Sequence, residues 1–460
     1  MIEKYYNGVI EQIYNKLGKS DNNIVMVSYN NVFSISKLES VKRYLADDNV
    51  VFAYHEYENG RLCGAYEPFL DIVRDMLDRN SIDIEEFMKE CDVYELHRSL
   101  LKGYFEEGTC YRREGVLLNE VGYEQTRLCR AIADMLHKLS EKTPILIVLN
   151  RFQISSRSTM ELIWRLINEP SSNIGIVLGV NEKRPQNDIL NSVWEEIYEY
   201  LEDHSHIYHI GSSGKEHDTW NNDILIETRD YDKILEKIKY MYEFLDYEQA
   251  KLYLQDIECK IKFEDVRIDE GTLCKYYVLY TYNSILLAEL SKALEMVNYA
   301  LQQEMVQKSH SYMCECYYLK GTCLMYQGKL QMAEKYAKQS RHEAKLTGDE
   351  DLIFRAELLT VMAKMSGWYN IFFCVQDVHI DETLIEKLMK NGYKNHLAHI
   401  YIYAYDNGAE MVAKAYRSEA CLMYFSKGVA LAVEIGNEQL VYDAYQKNIM
   451  IASTNGMNEI

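Results

Sequence analysis

Handling a phosphoryl group takes backbone amides to cradle it, a cation to neutralise it, and carboxylates to hold its metal. The stretch Pro144-Ile-Leu-Ile-Val-Leu-Asn150-Arg151 is an apolar strand of the kind that ends in such carboxylates, yet it ends in an amide and a cation. A second apolar run, Ile24–Ser28, leads into Ser28-Tyr29-Asn-Asn-Val-Phe33-Ser34-Ile35-Ser36-Lys37-Leu38. That segment lies where Gly-x-x-x-x-Gly-Lys-Ser/Thr would follow a strand and open a helix, its amides around phosphate and its lysine and hydroxyl on the γ-phosphate and Mg²⁺. Laid over that pattern, Tyr29 replaces the first glycine, Ser34 the second and Ile35 the lysine; only Ser36 keeps its type. A tyrosine needs room that a phosphate cradle does not leave, and isoleucine neutralises no charge. Lys37 is the nearest substitute cation, but it follows Ser36 and has to turn back.

Other candidate sites read as ordinary structure. Gly18-Lys19-Ser20 precedes the strand instead of following it, and Gly214-Lys215-Glu216 lacks the hydroxyl, so both read as turns. His204, His206 and His209 place three imidazoles in six residues, but on a strand His209 falls on the opposite face, and solvated edge histidines are the expectation. Ser155-Ser156-Arg157-Ser158-Thr159 reads as a helix start capped by Ser158 or Thr159. There is no Gly-x-Ser-x-Gly elbow, no His-Glu-x-x-His and no cysteine-nucleophile motif. No metal site and no bound cofactor are expected.

The bulk numbers bound the class of protein. The 460 residues exceed one core and suggest about three domain-sized units. A formal charge of −21 repels nucleic-acid backbones and anionic lipid. The basic cluster Arg112, Arg113, Arg127 and Arg130 is diluted by Glu114, Glu120 and Glu124. The 11 cysteines form no paired framework, and Cys314-x-Cys316 points its thiols to different faces of a helix, so reduced cysteines in a cytoplasmic protein are expected. No run approaches the roughly 18 apolar residues of a membrane span, and the start Met-Ile-Glu-Lys has no apolar signal core. With only 4 prolines and 22 glycines, long helices are favoured over a many-turned sandwich. The 39 tyrosines suit half-buried faces of stacked helices.

Along the chain, apolar strand-length runs at Ile24–Ser28, Val50–Tyr57, Ile145–Leu149, Ile174–Val180 and His206–Ile210 alternate with helical patterns at Ile35–Leu45, Tyr66–Leu77, Glu124–Leu139 and Thr159–Ile167. This alternation predicts a three-layer α/β domain with a parallel sheet over residues 1–214. From about Tyr231 the pattern is helical, with connecting helices to 275 and an all-α array over 276–460. Tyr317, Gly321, Leu324, Gly328, Ala333, Ala337 and Ser340 have the offsets of the 34-residue tetratricopeptide repeat, with echoes at Ala293 and Ala300 and at Ala413, Ala420, Gly428 and Ala432. Gly321 and Ala333 let two helices approach, and Gly328 ends the first. An irregular loop is expected over Phe372–Asp381, near Trp368. The aromatic clusters Tyr277, Tyr280, Tyr282 and Tyr401, Tyr403, Tyr405 read equally as a peptide groove or as inter-helix packing.

Four of these pieces together resemble the AAA-like ATPase module of STAND-type signalling proteins, found in bacterial regulators ahead of tetratricopeptide-like helices. They are Ile24–Leu38, the helix start Tyr66-Glu-Pro-Phe-Leu-Asp-Ile-Val73, Ile145–Leu166 (the Walker B strand, serine-rich loop and helix) and Ile174–Arg184 (the sensor strand). The resemblance implies a P-loop NTPase-like fold over about the first 210 residues. It also implies acidic residues where Asn150 and Arg151 stand, and a polar sensor and arginine where Gly179 and Asn181 stand. Losing lysine, glycines and acids together implies a pseudo-ATPase. Arg151 is expected in a surface or interdomain salt bridge.

The expectation is a non-catalytic regulatory or scaffolding protein that meets protein partners through the groove of its helical array, with no nucleic acid and no membrane; oligomerisation is compatible with the resemblance. No output domain is expected after the last helical segment before Asn458-Glu-Ile460. The alternative is a nucleotide-responsive switch that still binds ATP with little or no hydrolysis.

Overall fold

The structure, a computed structural model, describes residues 2–20, 23–29, 49–58, 61–110, 112, 114–181, 188–210, 230–263, 268–365, 382–402 and 419–454. The expected helix Ile35–Leu45, the positions Ser34, Ile35, Ser36 and Lys37, the turn Gly214-Lys215-Glu216, the loop Phe372–Asp381, and Tyr403, Tyr405 and Ala413 lie outside the described residues. The chain divides into two compact units, one of Met1–Val93, Phe105–Gly108 and Gln125–Glu264, the other of Tyr94–Tyr104, Thr109–Glu124 and Asp265–Ile460.

All five expected strands are present in the first unit: β1 (Ile24–Tyr29), β2 (Val51–Glu56), β3 (Ile145–Asn150), β4 (Ile174–Asn181) and β5 (Ile207–Ile210). They form one parallel sheet in the order β2-β3-β4-β1-β5. The inner strands are buried nearly throughout, which is why their sequences are continuous apolar runs. From β1 the chain crosses to the far edge at β2, then steps back through β3 and β4 to β5. The crossover leaving β1 thus runs one way along the sheet and those leaving β2, β3 and β4 the other, and the carboxyl ends of β1 and its neighbour β4 are where open α/β sheets place their ligands.

One face of the sheet is covered by α1 (Ile2–Lys16), a helix that the sequence reading did not place. Its Tyr6, Val9, Ile10 and Ile13 recur at helical spacing and are buried against Val25, Val27, Leu146, Val148 and Val177. Gly175 makes this approach feasible, since a Cβ there would sit 2.7 Å from Ile13 Cγ2. The helix start at Tyr66-Glu-Pro-Phe is present, with Phe69–Arg79 helical and Pro68 just before it. Gly18 and Lys19 form a turn after α1, as expected, with Gly18 at φ 72°.

The helical pair Tyr231–Glu243 and Tyr247–Phe263 belongs to the same unit. Asp246, in the turn between them, is buried and accepts a 2.5 Å hydrogen bond from Ser158 Oγ. Gln125 Nε2 donates to the Leu245 carbonyl at 2.7 Å, and the Tyr253 hydroxyl accepts from the Cys63 amide at 3.0 Å. The serine-rich segment thus does two jobs. Ser156, rather than Ser158 or Thr159, caps Arg157–Asn168 by accepting from the Thr159 amide, which frees Ser158 to bind Asp246. Burial pushes the Asp246 carboxyl up to about 7, although its bond from Ser158 pulls the other way.

The second unit is helical. Glu270–Leu286 pairs with Leu290–Gln302, His310–Tyr326 with Leu330–Thr347, and Glu419–Glu434 with Glu438–Thr454; Glu350–Met365, Glu382–Lys390 and the helical stretch 394–402 lie between the last two pairs. The phasing around Gly321 is borne out: a Cβ there would meet Leu359 Cδ2 at 2.9 Å and the Ala333 carbonyl at 3.3 Å. Gly428 allows a similar close approach to the preceding helical stretch, where a Cβ would come within 2.8 Å of Ile402 Cγ1. The turns repeat as well. Lys329 donates to the Leu324 carbonyl, Tyr393 to Leu388, Asn437 to Ala432 and Glu289 to Ser284, each over a residue in the left-handed region. Glycine fills that place at Gly328, Gly392 and Gly436, but the Glu289 turn uses Ala288 at φ 58°. Cys314 and Cys316 are both buried, and burial raises both thiols, Cys316 to about 12.

Two outcomes test this account. Ala288 is exposed, so Ala288→Gly relieves left-handed strain without opening a cavity and stabilises the protein by roughly 0.5–1 kcal/mol in urea unfolding; an unchanged midpoint contradicts the turn. Asp246 carries a raised pKa in the folded state, so its contribution is complete below about pH 4 and is lost as pH rises towards about 7. Asp246→Asn removes this dependence. The stability difference between variant and wild type therefore grows in the variant's favour between pH 4 and 8, by a few kcal/mol at most; parallel pH profiles overturn the assignment.

Candidate functional site

Four of the five strands end in a polar residue at the carboxyl edge of the sheet: Tyr29 on β1, Glu56 on β2, Asn150 on β3 and Asn181 on β4. Parallel pairing sets Glu56 beside Asn150, Asn150 beside Gly179, and Tyr29 beside Asn181. Side chains alternate along a strand, so Tyr29, Tyr54, Glu56, Asn150 and the Gly179 position share the face that α1 covers.

Tyr29 is 2% exposed, and its hydroxyl donates to Asn150 Oδ1 at 2.5 Å. The same hydroxyl accepts from the Arg151 backbone amide. Because β4 lies between β1 and β3, this bond has to pass over β4, and it does so where β4 carries Gly179. A Cβ at Gly179 would stand 2.8 Å from Asn150 Oδ1 and 2.5 Å from the Tyr6 hydroxyl. Tyr6 itself is fully buried, its ring edge-on to Tyr29 at 6.5 Å. From β2, the Tyr54 hydroxyl donates to Glu56 Oε2 at 2.7 Å and also meets the Asn150 side chain. Tyr29, Asn150 and Gly179, three separate departures in the sequence, are thus parts of one packed network.

Arg151 takes a left-handed backbone (φ 56°, ψ 41°) at the end of β3 and lies 3.8 Å from Glu56. The salt bridge is partly buried and lies within the first unit, not at the surface or between domains as expected. Asn181 accepts from Gln153 Nε2 at 2.5 Å. Burial raises the pKa of Tyr6, Tyr29 and Tyr54, with Glu56 adding to the rise in each case, so these phenols stay protonated and act as neutral hydrogen-bonding groups. Magnesium takes octahedral oxygen ligands led by carboxylates. The described part of this edge offers one, Glu56, already engaged by Tyr54 and Arg151, and these residues do not fit the ion.

Of the site residues read from sequence, Tyr29, Asn150, Arg151, Gly179 and Asn181 meet at one sheet edge, whereas Ser34, Ile35 and Ser36 lie outside the described residues. Sequence reasoning missed Tyr6, Tyr54 and Glu56. The alternation Phe52, Tyr54, Glu56 on β2 carried a signal for two of them; Tyr6 had none without α1. The histidine cluster is dispersed: His204 stacks on Tyr200 at 4.1 Å, its ring 6.4 Å from that of His206. Among the described residues no group of three histidine, cysteine or carboxylate side chains is placed to hold a metal, and no helix is long and apolar enough to cross a membrane.

No protein-family model matches the chain, and no curated protein matches it. It is similar to the crystal structure of a Signal Transduction ATPase with Numerous Domains (STAND) protein with a tetratricopeptide repeat sensor from Pyrococcus horikoshii. That match is 12% identical and covers 97% of this chain and 79% of that one, with a TM-score of 0.42.

Tyr29→Phe deletes the hydroxyl shared by Asn150 and the Arg151 amide and leaves both buried groups short of a partner. The expected cost is about 1–3 kcal/mol in denaturant unfolding; a midpoint equal to wild type removes the network from the stability of the sheet.

Proposed function

We propose that this protein is a non-catalytic regulatory or scaffolding protein, with a STAND-like nucleotide module that has become a pseudo-ATPase and a tetratricopeptide-like array that binds a protein partner. In this reading, residues 1–214 carry the former nucleotide module, 215–275 connect, and 276–460 present the array. The observation that carries the reading is the 2.5 Å hydrogen bond from Tyr29 to Asn150 across the glycine of β4. Phosphoryl transfer is almost wholly a matter of positioning and charge stabilisation. An edge of neutral phenols and an amide, with its single arginine held by Glu56, gives a triphosphate neither metal nor free cation among the described residues. The −21 charge favours protein partners over nucleic acid or anionic lipid and fits a cytoplasmic setting.

The test is thermal unfolding with and without millimolar Mg-ATP. A ligand bound to the native state at a hundred times its dissociation constant adds about 2.7 kcal/mol. The expected result is no shift in Tm and no phosphate release above a blank. A clear upward shift without hydrolysis establishes the nucleotide-responsive switch instead, and turnover overturns both.

A further inference from the structure

The sequence reading treated Glu114 and Glu120 as charges that dilute a basic cluster, but both are buried. They flank the segment Glu114-Gly-Val-Leu-Leu-Asn-Glu120, which has no regular structure before a single 3-10 turn at Leu118–Glu120. In the second unit this segment lies against helices almost 300 residues away in the chain. The Glu114 carboxylate accepts from the backbone amides of Asn395, at 3.0 Å, and His396, which open the helical stretch 394–402; His396 Nδ1 is 2.5 Å away. Unsatisfied amides and the helix dipole make that terminus a receptor for an anion. Six residues on, Glu120 is held by Asn395 Nδ2 at 2.9 Å, Asn437 Nδ2 at 2.7 Å and His399 Nε2 at 2.7 Å.

Between the two carboxylates, Leu117 enters the apolar cluster of Leu324, Leu359 and Leu397, and the Leu118 amide donates to the Tyr326 hydroxyl at 3.2 Å. Gly115 and Asn119 face solvent. This is how a bound peptide is gripped: charged ends in polar sockets, buried apolar residues between them, a main-chain bond, and two residues left outside. Burial works against the Glu120 carboxylate, and His399, Asn437 and Asn395 more than reverse it, holding its pKa down to about 2, so the socket is tuned to a carboxylate.

We propose that the surface around Asn395, His396, His399 and Asn437 is the partner site of the helical array. Its ligand class is a peptide with two carboxylates six residues apart and apolar residues between them, and the chain's own Glu114–Glu120 occupies that site until a partner of the same pattern displaces it. This rests on the reading that the array binds the partner, and it is independent of whether nucleotide binds.

The test uses the full-length chain and a fluorescent synthetic peptide of residues 112–122, followed by anisotropy. Glu114→Gln with Glu120→Gln releases the internal segment, so the double variant binds the peptide at least tenfold more tightly than wild type does. The same peptide with both glutamates changed to glutamine binds neither protein. Equal affinity for wild type and variant, or no binding to a variant that still melts cooperatively, overturns the proposal. Should the variant not fold, hydrogen exchange on wild type decides. The Leu118, Asn395 and His396 amides are expected to exchange at least tenfold faster than amides inside His310–Tyr326; exchange only with global unfolding makes the segment a fixed part of the core and overturns the proposal. A Tm shift with Mg-ATP changes none of these outcomes and bears only on the first unit.

Discussion

The first unit turns on a side-chain bond that crosses a strand. Tyr29 and Asn150 stand on β1 and β3, two strands apart, and their bond requires that β4 between them present no side chain. Gly179 meets that requirement, and the vacated volume also admits the hydroxyl of Tyr6. Each partner constrains the next: a side chain at 179 collides with two polar groups, and without the Tyr29 hydroxyl the Asn150 oxygen and the Arg151 amide each lose a buried partner. Where a topological switch point would favour a ligand, the described residues of this sheet form a nearly neutral polar network.

The second unit meets a different problem with similar means. Hairpins of helices pack where glycine or alanine removes a side chain, as at Gly321 and Gly428, and turn where the backbone is left-handed. Helix termini inside such an array expose amides that need acceptors. At the stretch 394–402 the acceptor is a carboxylate from the far N-terminal side of the sequence, Glu114, and the Asn437 and Asn395 carboxamides share Glu120 beside it. A charged group serves well there because the amides, the imidazoles and the carboxamides all donate.

Much of the fold was legible before any coordinates. The five strand-length runs are the five strands, and the inner three are continuous apolar runs because strands covered on both faces need residues that are apolar on both faces. The array's phasing at Gly321, Gly328 and Ala333 was legible for a similar reason, since close approach and a left-handed turn each tolerate few residue types. The helix α1 was not seen. Its buried stripe is short and begins with a tyrosine, Tyr6, and only packing against Gly175 and Gly179 shows why a tyrosine is buried there. Ser156 took the cap expected at Ser158 or Thr159 because Ser158 was needed by Asp246, some ninety residues on.

By itself the sequence determined the alternation of strand and helix, the later helical repeat, and which residues stand at the strand tips, because periodicity and residue chemistry are local properties. Only the tertiary structure decided what those residues touch. That Tyr29 reaches Asn150 across Gly179, that Arg151 is held by Glu56, and that Glu114 and Glu120 are sockets' guests rather than surface charge all depend on residues distant in the chain being brought to one place. Hydrogen bonds and ion pairs act over a few ångströms of space, and no spacing along the chain records that proximity.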